Sequence, residues 1–93
     1  MDSVLTANPV VIGVYGGSFN PVHVAHQMIV LWALEAGGCD SVWVIPTYAH
    51  AFGKTLAPYE RRLDMCRLAF GRFGDAVTVS ALERHLAEEH GVN

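Results

Sequence analysis

Ninety-three residues, 52% hydrophobic and only 16% charged, make one small domain or a piece of a larger one, too apolar to stay disordered. A net charge of −3 excludes a nucleic-acid binder held by bulk positive charge. The apolar stretch 22–36 is interrupted by two His, a Gln and a Glu and falls short of the roughly 20 apolar residues that cross a bilayer, so no membrane partner is expected either. A mean hydropathy of +0.28 predicts apolar surface that something else covers.

The first residues, Met1-Asp2-Ser3, lack the basic start of a secretory signal. Cys39 and Cys66 form no CxxC pair and match no zinc spacing, which predicts two small hydrophobes in a reducing, cytoplasmic setting.

Val10–Tyr15 is a continuous apolar run, the pattern of a parallel strand buried on both faces. Val22–Ala36 follows as a helix, with Asn20 as candidate cap, Pro21 at its first position and Gly37-Gly38 as its stop. Ser41–Ile45, ending at Pro46, reads as a second buried strand. Tyr59, Leu63, Cys66 and Phe70 recur at helical spacing between Pro58 and Gly71, and Ala76–Ser80 is a shorter third strand. Leu82–His90 is a tail helix, with Ser80 as cap and Glu83 completing a capping box. Strand, helix, strand, helix, strand implies two right-handed crossovers and a parallel sheet. The fold class is therefore α/β, a Rossmann-like parallel sheet with helical crossovers. Trp32 and Trp43 are expected in its core. His85 and His90 are expected on the tail's surface.

Charge is distributed unevenly. Residues 1–53 hold three acids and no Lys or Arg, whereas residues 54–72 hold five basic residues against two acidic ones. Most of the arginines suit a solvated helix face, and a few are available to an anion bound by the uncharged first half.

Chemistry concentrates in Gly16-Gly17-Ser18-Phe19-Asn20-Pro21-Val22-His23-Val24-Ala25-His26, between the first strand and its helix. Ligands of open α/β sheets sit at the carboxyl ends of strands. Consecutive glycines admit close backbone approach, and a helix start offers N–H groups and a positive dipole end to a phosphate. His23 and His26, three apart, face one side and can donate hydrogen bonds to phosphate oxygens. A zinc site would need a third ligand, and none stands nearby in sequence. Gly13-x-x-Gly16-Gly17 does not fit the dinucleotide fingerprint. Gly53-Lys54-Thr55 lacks the earlier glycine of a P-loop, since Tyr48 occupies that position. After the second strand comes Pro46-Thr47-Tyr48-Ala49-His50-Ala51-Phe52-Gly53-Lys54, which brings the first cation of the chain to the same edge of the sheet. Tyr48 and Phe52 suit either stacking on a base or anchoring the loop. His50 is a candidate substrate contact.

The eleven-residue string resembles the signature of the nucleotidyltransferase superfamily with paired histidines, H-x-G-H. Within that superfamily it is most similar to bacterial nicotinate-nucleotide adenylyltransferases, G-G-[ST]-F-[DN]-P-x-H-x-G-H. Pantetheine-phosphate adenylyltransferases usually carry Thr for the first His and lack the double glycine. Pro46, Lys54 and Arg62-Leu63-Asp64-Met65 extend the likeness to the family's strand-end proline, basic loop residue and R-x-x-M helix.

The resemblance implies transfer of AMP from ATP to a pyridine mononucleotide, releasing pyrophosphate, in NAD biosynthesis. Gly16, Gly17, Ser18 and Phe19 would cradle ATP together with His23 and His26. Those two histidines and Lys54 would be the catalytic groups, and Asn20, Thr47, His50, Lys54 and Arg62 would face the mononucleotide. Mg²⁺ would arrive on the triphosphate, with no metal held by the protein. Alternatives are another acceptor, or an inactive truncated nucleotide-binding domain that associates with itself through an exposed sheet edge.

Three departures stand out: Ala25 for the usual Gly, Asn20 for the frequent Asp, and no later Ser-Tyr-Thr or Ser-x-Thr-x-x-Arg segment. The likeness spans about residues 10–83. It predicts that residues 1–93 are a partial nucleotidyltransferase domain, the N-terminal βαβαβ portion of an adenylyltransferase fold truncated at its C-terminus.

Overall fold

The computed structural model describes residues 9–48 and 56–90. Its elements run β1 (Ile12–Gly17), α1 (Val24–Glu35), β2 (Ser41–Pro46), α2 (Tyr59–Phe70), a 3₁₀ segment (Gly71–Ala76), β3 (Val77–Val79) and α3 (Leu82–His90). The three strands are parallel in the order β1-β2-β3, with Ile12 opposite Ser41 and Gly17 opposite Pro46. This is the α/β, Rossmann-like arrangement expected.

The core gathers between β2 and the helices. Val42 and Val44 of β2 pack with Val30 of α1, Cys66 and Phe70 of α2, and Phe19 from the turn after β1. On α2 the spacing predicted from sequence holds, for Leu63, Cys66 and Phe70 are each at most 1% exposed. Burial in this apolar setting pushes the Cys66 thiol up to about 11, so it acts as a hydrophobe rather than as a nucleophile. Cys39 is half-buried, and both cysteines are free.

Several local expectations are corrected. β1 is not buried on both faces. Ile12 is 49% and Val14 70% exposed, while Gly13 and Tyr15 turn inward. Continuous apolar sequence signals two coverable faces, but the described residues cover only one. Trp32 and Trp43 are likewise outside the core, at 63% and 39% exposed. The first helix begins at Val24 rather than Val22, because His23 is its cap. It ends as expected at the glycine pair, where Gly38 takes a φ of 79° that suits a residue without a Cβ. α2 ends at Phe70 with Gly71 as its C-cap, as expected; the helical dihedrals of Gly71 lead on into the 3₁₀ segment, and the kink falls at Gly74.

In α3, Ser80 Oγ accepts the Leu82 N–H at 3.1 Å. Glu83 departs from the expected capping box: its carboxylate accepts the Tyr48 N–H at 3.0 Å, tying α3 to the end of β2. Arg84 pairs with Glu60 of α2. His85 and His90 are exposed, as expected.

Candidate active site

The parallel register brings the carboxyl ends of β1 and β2 side by side, and the Thr47 N–H extends the ladder onto the Gly17 carbonyl at 2.8 Å. Above this edge a cleft of about 390 Å³ is lined by the run Tyr15–Pro21 together with His23 and His26. A Cβ built on Gly16 would meet nothing nearer than the Ile45 carbonyl at 3.9 Å. The space over that backbone is therefore open to a ligand.

Phe19 shapes the turn. Its φ of 47° is a left-handed conformation unusual for a residue with a side chain. The ring compensates by being 2% exposed, edge-on to Tyr15, His26 and Phe70 at 5.2, 4.9 and 6.2 Å between centroids. Strain held by packing is a recurrent property of ligand-binding turns. The Asn20–Pro21 peptide bond is cis.

The two histidines cap α1 reciprocally. Backbone N–H of His23 donates to His26 Nδ1 at 2.9 Å, and the Ala25 N–H donates to His23 Nδ1 at 3.3 Å. An Nδ1 that accepts carries no proton, so each neutral ring keeps its proton on Nε2. The rings lie 4.1 Å apart. Burial, and then the neighbouring His23, hold His26 below the ordinary imidazole range. The pair thus presents two neutral N–H donors beside a helix start, suited to anionic oxygens.

The other predicted site residues fall into three groups. Gly16, Gly17, Ser18, Phe19 and Asn20 join the histidines around the cleft, although Asn20 Oδ1 also accepts the Ala57 N–H at 3.0 Å. Thr47 and Arg62 do not line the cleft. Thr47 commits its N–H to Gly17 and its carbonyl to Arg62, while the Arg62 guanidinium is buried beneath the turn on backbone carbonyls. His50 and Lys54, and with them Phe52, lie outside the described residues. Tyr48 is engaged as a loop anchor, edge-on to Tyr59 at 4.9 Å.

Tyr15 is the lining residue that sequence reasoning missed. Its apolar run marks only a strand, yet a residue next to a Gly-Gly turn at a strand's carboxyl end stands at the edge where ligands of such sheets bind. Burial raises its phenol pKa.

Among the described residues no cluster of His, Cys, Asp and Glu could hold a metal ion. No helix among them is long and apolar enough to cross a membrane.

The parallel βαβαβ unit is Rossmann-like, with a glycine turn and paired histidines gathered at its strand ends. The cytidylyltransferase-like family matches residues 14–92, and the chain belongs to it. More narrowly, it is 53% identical over 78 residues to a probable nicotinate-nucleotide adenylyltransferase of Anaeromyxobacter sp. (strain K), covering 84% of this chain and 41% of that protein. A Myxococcus xanthus protein of the same description is 42% identical over 55 residues, covering 59% of this chain and 29% of that one. The solved Plasmodium falciparum nicotinic acid mononucleotide adenylyltransferase, complexed with NaAD, superposes with a TM-score of 0.68 at 18% identity. That match covers 89% of this chain and 48% of the other. The chain therefore spans less than half the length of these relatives.

Proposed function

We propose that the chain carries the N-terminal half of a nicotinate-nucleotide adenylyltransferase, which transfers AMP from ATP to a pyridine mononucleotide in NAD biosynthesis. The observation that carries this reading is the histidine pair, whose capping bonds leave both Nε2–H groups free beside an unobstructed glycine backbone. The names borne by the similar proteins supply the pyridine mononucleotide as acceptor.

In this reaction a phosphate oxygen of the mononucleotide attacks the α-phosphorus of ATP. The new O–P bond forms as the bond to the bridging oxygen breaks, and pyrophosphate leaves. Alignment and charge neutralisation suffice, and no protein nucleophile is needed. The backbone of Gly16, Gly17, Ser18 and Phe19 with the α1 start cradles the phosphates. His23 and His26 donate to oxygens on which charge develops. Asn20 and His50 are assigned to the mononucleotide side, and Lys54 to both substrates, whereas Thr47 contributes its backbone to the joint beneath the cleft.

The residues lining the cleft offer no carboxylate, a poor donor set for a protein-held Mg²⁺. The ion belongs to the MgATP substrate, and no step is assigned to a resident metal. Two free thiols suit a cytoplasmic compartment. The β1 edge suits pairing with a second copy of the chain, since β1 ends the sheet among the described residues and residues 9–38 contain neither Lys nor Arg to discourage association.

The test is pyrophosphate release from MgATP with nicotinate or nicotinamide mononucleotide, alongside calorimetric ATP binding. In an intact enzyme that contains these residues, binding with turnover on nicotinate mononucleotide is expected, and His26→Ala should lower turnover by about a hundredfold or more with the fold retained, the scale of a lost transition-state donor. Turnover on another acceptor would move the acceptor assignment. ATP binding without turnover would identify an inactive nucleotide-binding domain. Near-wild-type turnover by His26→Ala would remove His26 from the mechanism.

A further inference from the structure

Arg62 heads the fully buried side chains by volume, at 1% exposure. Taking a guanidinium out of water is costly unless its donors are matched. Here Nε donates to the Ala57 carbonyl at 2.8 Å, while Nη1 donates to the Ser18 carbonyl at 2.9 Å and to the Thr47 carbonyl at 2.8 Å. The face of Tyr59 lies 5.4 Å from the guanidinium carbon. These hydrogen bonds all go to neutral carbonyls, and the carbonyls belong to three separate stretches: the turn after β1, the stretch after β2, and the entry to α2. The single Nη1 amino group, with its two hydrogens, bridges the Ser18 and Thr47 carbonyl oxygens.

Two more bonds lie in the same joint. Thr47 N–H donates to the Gly17 carbonyl at 2.8 Å, and Ala57 N–H donates to Asn20 Oδ1 at 3.0 Å. The planar fork of an arginine can reach several carbonyls in fixed directions, whereas a lysine offers a single ammonium point.

We propose that Arg62 is a positioning residue for the nucleotide cleft: its guanidinium locks the turn after β1 to the stretch after β2 and thereby fixes the Gly16–Phe19 backbone that lines the cleft. It acts through the Ser18 and Thr47 backbones and touches no substrate. The effect on ATP rests on the nucleotide-binding reading given above, but the mechanical lock does not.

The experiment compares Arg62→Lys and Arg62→Met with the unmodified chain, at a temperature where circular dichroism shows each folded. Amide hydrogen exchange at Thr47 and Ala57 is expected to accelerate about tenfold or more in both variants, with the β2 amides Trp43 and Val44 unchanged as internal controls. ATP affinity is expected to fall about tenfold in both, the scale of one lost charge-assisted hydrogen bond. Restoration of affinity by lysine would show that charge alone matters and would overturn the positioning role. A uniform rise in exchange with unchanged ATP affinity would show a merely structural arginine and would also overturn it. Should the unmodified chain not bind ATP, the nucleotide reading fails and the exchange pattern alone decides the lock. Should neither variant fold, the Arg62 Nε–H resonance of the unmodified chain decides: slow exchange and a shift on ATP addition support the lock, and fast exchange overturns it.

Discussion

The two crossover helices are of equal length and opposite character. α2 is amphipathic: Leu63, Cys66, Phe70 and the Arg62 clamp are buried, while Glu60, Arg61, Asp64 and Arg67 face water. α1 is apolar almost all round, yet Val30 is its one buried residue, and Val24, Met28, Ile29, Leu31 and Trp32 remain exposed. A helix apolar on every side is ordinarily enclosed. Its N-terminus nevertheless carries the histidine pair, so the candidate site stands on the less covered half of the described residues and the buried core lies in the other. The two halves meet at Phe19, Arg62 and the bond from Gln27 Nε2 to the Ala69 carbonyl at 2.7 Å. The proposed site takes its geometry from β1 and α1, and that geometry rests on the core built by β2 and α2.

Mutations on the two halves should therefore differ sharply in cost. Phe70→Ala, on the covered side of α2, is expected to destabilise by roughly 3–5 kcal/mol, much of what a small domain possesses, and to loosen the Phe19 turn with it. Chemical denaturation measures the first effect. A loss below about 1 kcal/mol would show that the halves are equally lightly packed.

At the α1 start, His26→Ala removes the acceptor of the His23 N–H and should cost about 0.5–2 kcal/mol, the range for a lost helix cap. Comparing its melting temperature with that of Phe70→Ala tests whether the site half is the cheaper to disturb.

The same cap gives a pH signature. His26 is held below its ordinary range, so the unfolded chain takes up a proton more readily than the folded one. The stability it lends is complete above the unfolded value of about 6.5 and is lost as pH falls through the lowered folded value. Melting temperatures between pH 7.5 and 5.5 should fall more steeply for the unmodified chain than for His26→Gln. Identical slopes would show that the imidazole is not the cap.

The smallest effect on stability belongs to the open edge. Val14→Lys, at a site 70% exposed, should change stability by no more than about 0.5 kcal/mol while abolishing any association seen by sedimentation velocity. An oligomer that survived this change would pair through another surface.

Much of this was legible in sequence because local rules and the tertiary fold agree. Apolar runs ending at Gly16 and Pro46 mark β1 and β2, and the spacing of Leu63, Cys66 and Phe70 marks the inner face of α2. The glycine turn with two histidines three residues apart marks the site. What failed was whatever depends on partners distant in the chain. Asn20-Pro21 looks like a helix start, but Asn20 Oδ1 is taken by Ala57, 37 residues on, and His23 caps instead. Glu83 sits at a capping-box position but serves Tyr48, 35 residues back. Arg62, expected from the resemblance to face the mononucleotide, is instead buried where three carbonyls converge on it.

The sequence by itself determined the order of strands and helices, the glycine turn and the residue types offered to a phosphate, because these follow from periodicity and backbone freedom within a few residues. The tertiary structure alone decided which apolar face is covered, which nitrogen of each imidazole is free, and which arginine lies beneath the cleft. Those outcomes depend on hydrogen bonds and packing between segments that the parallel sheet brings together.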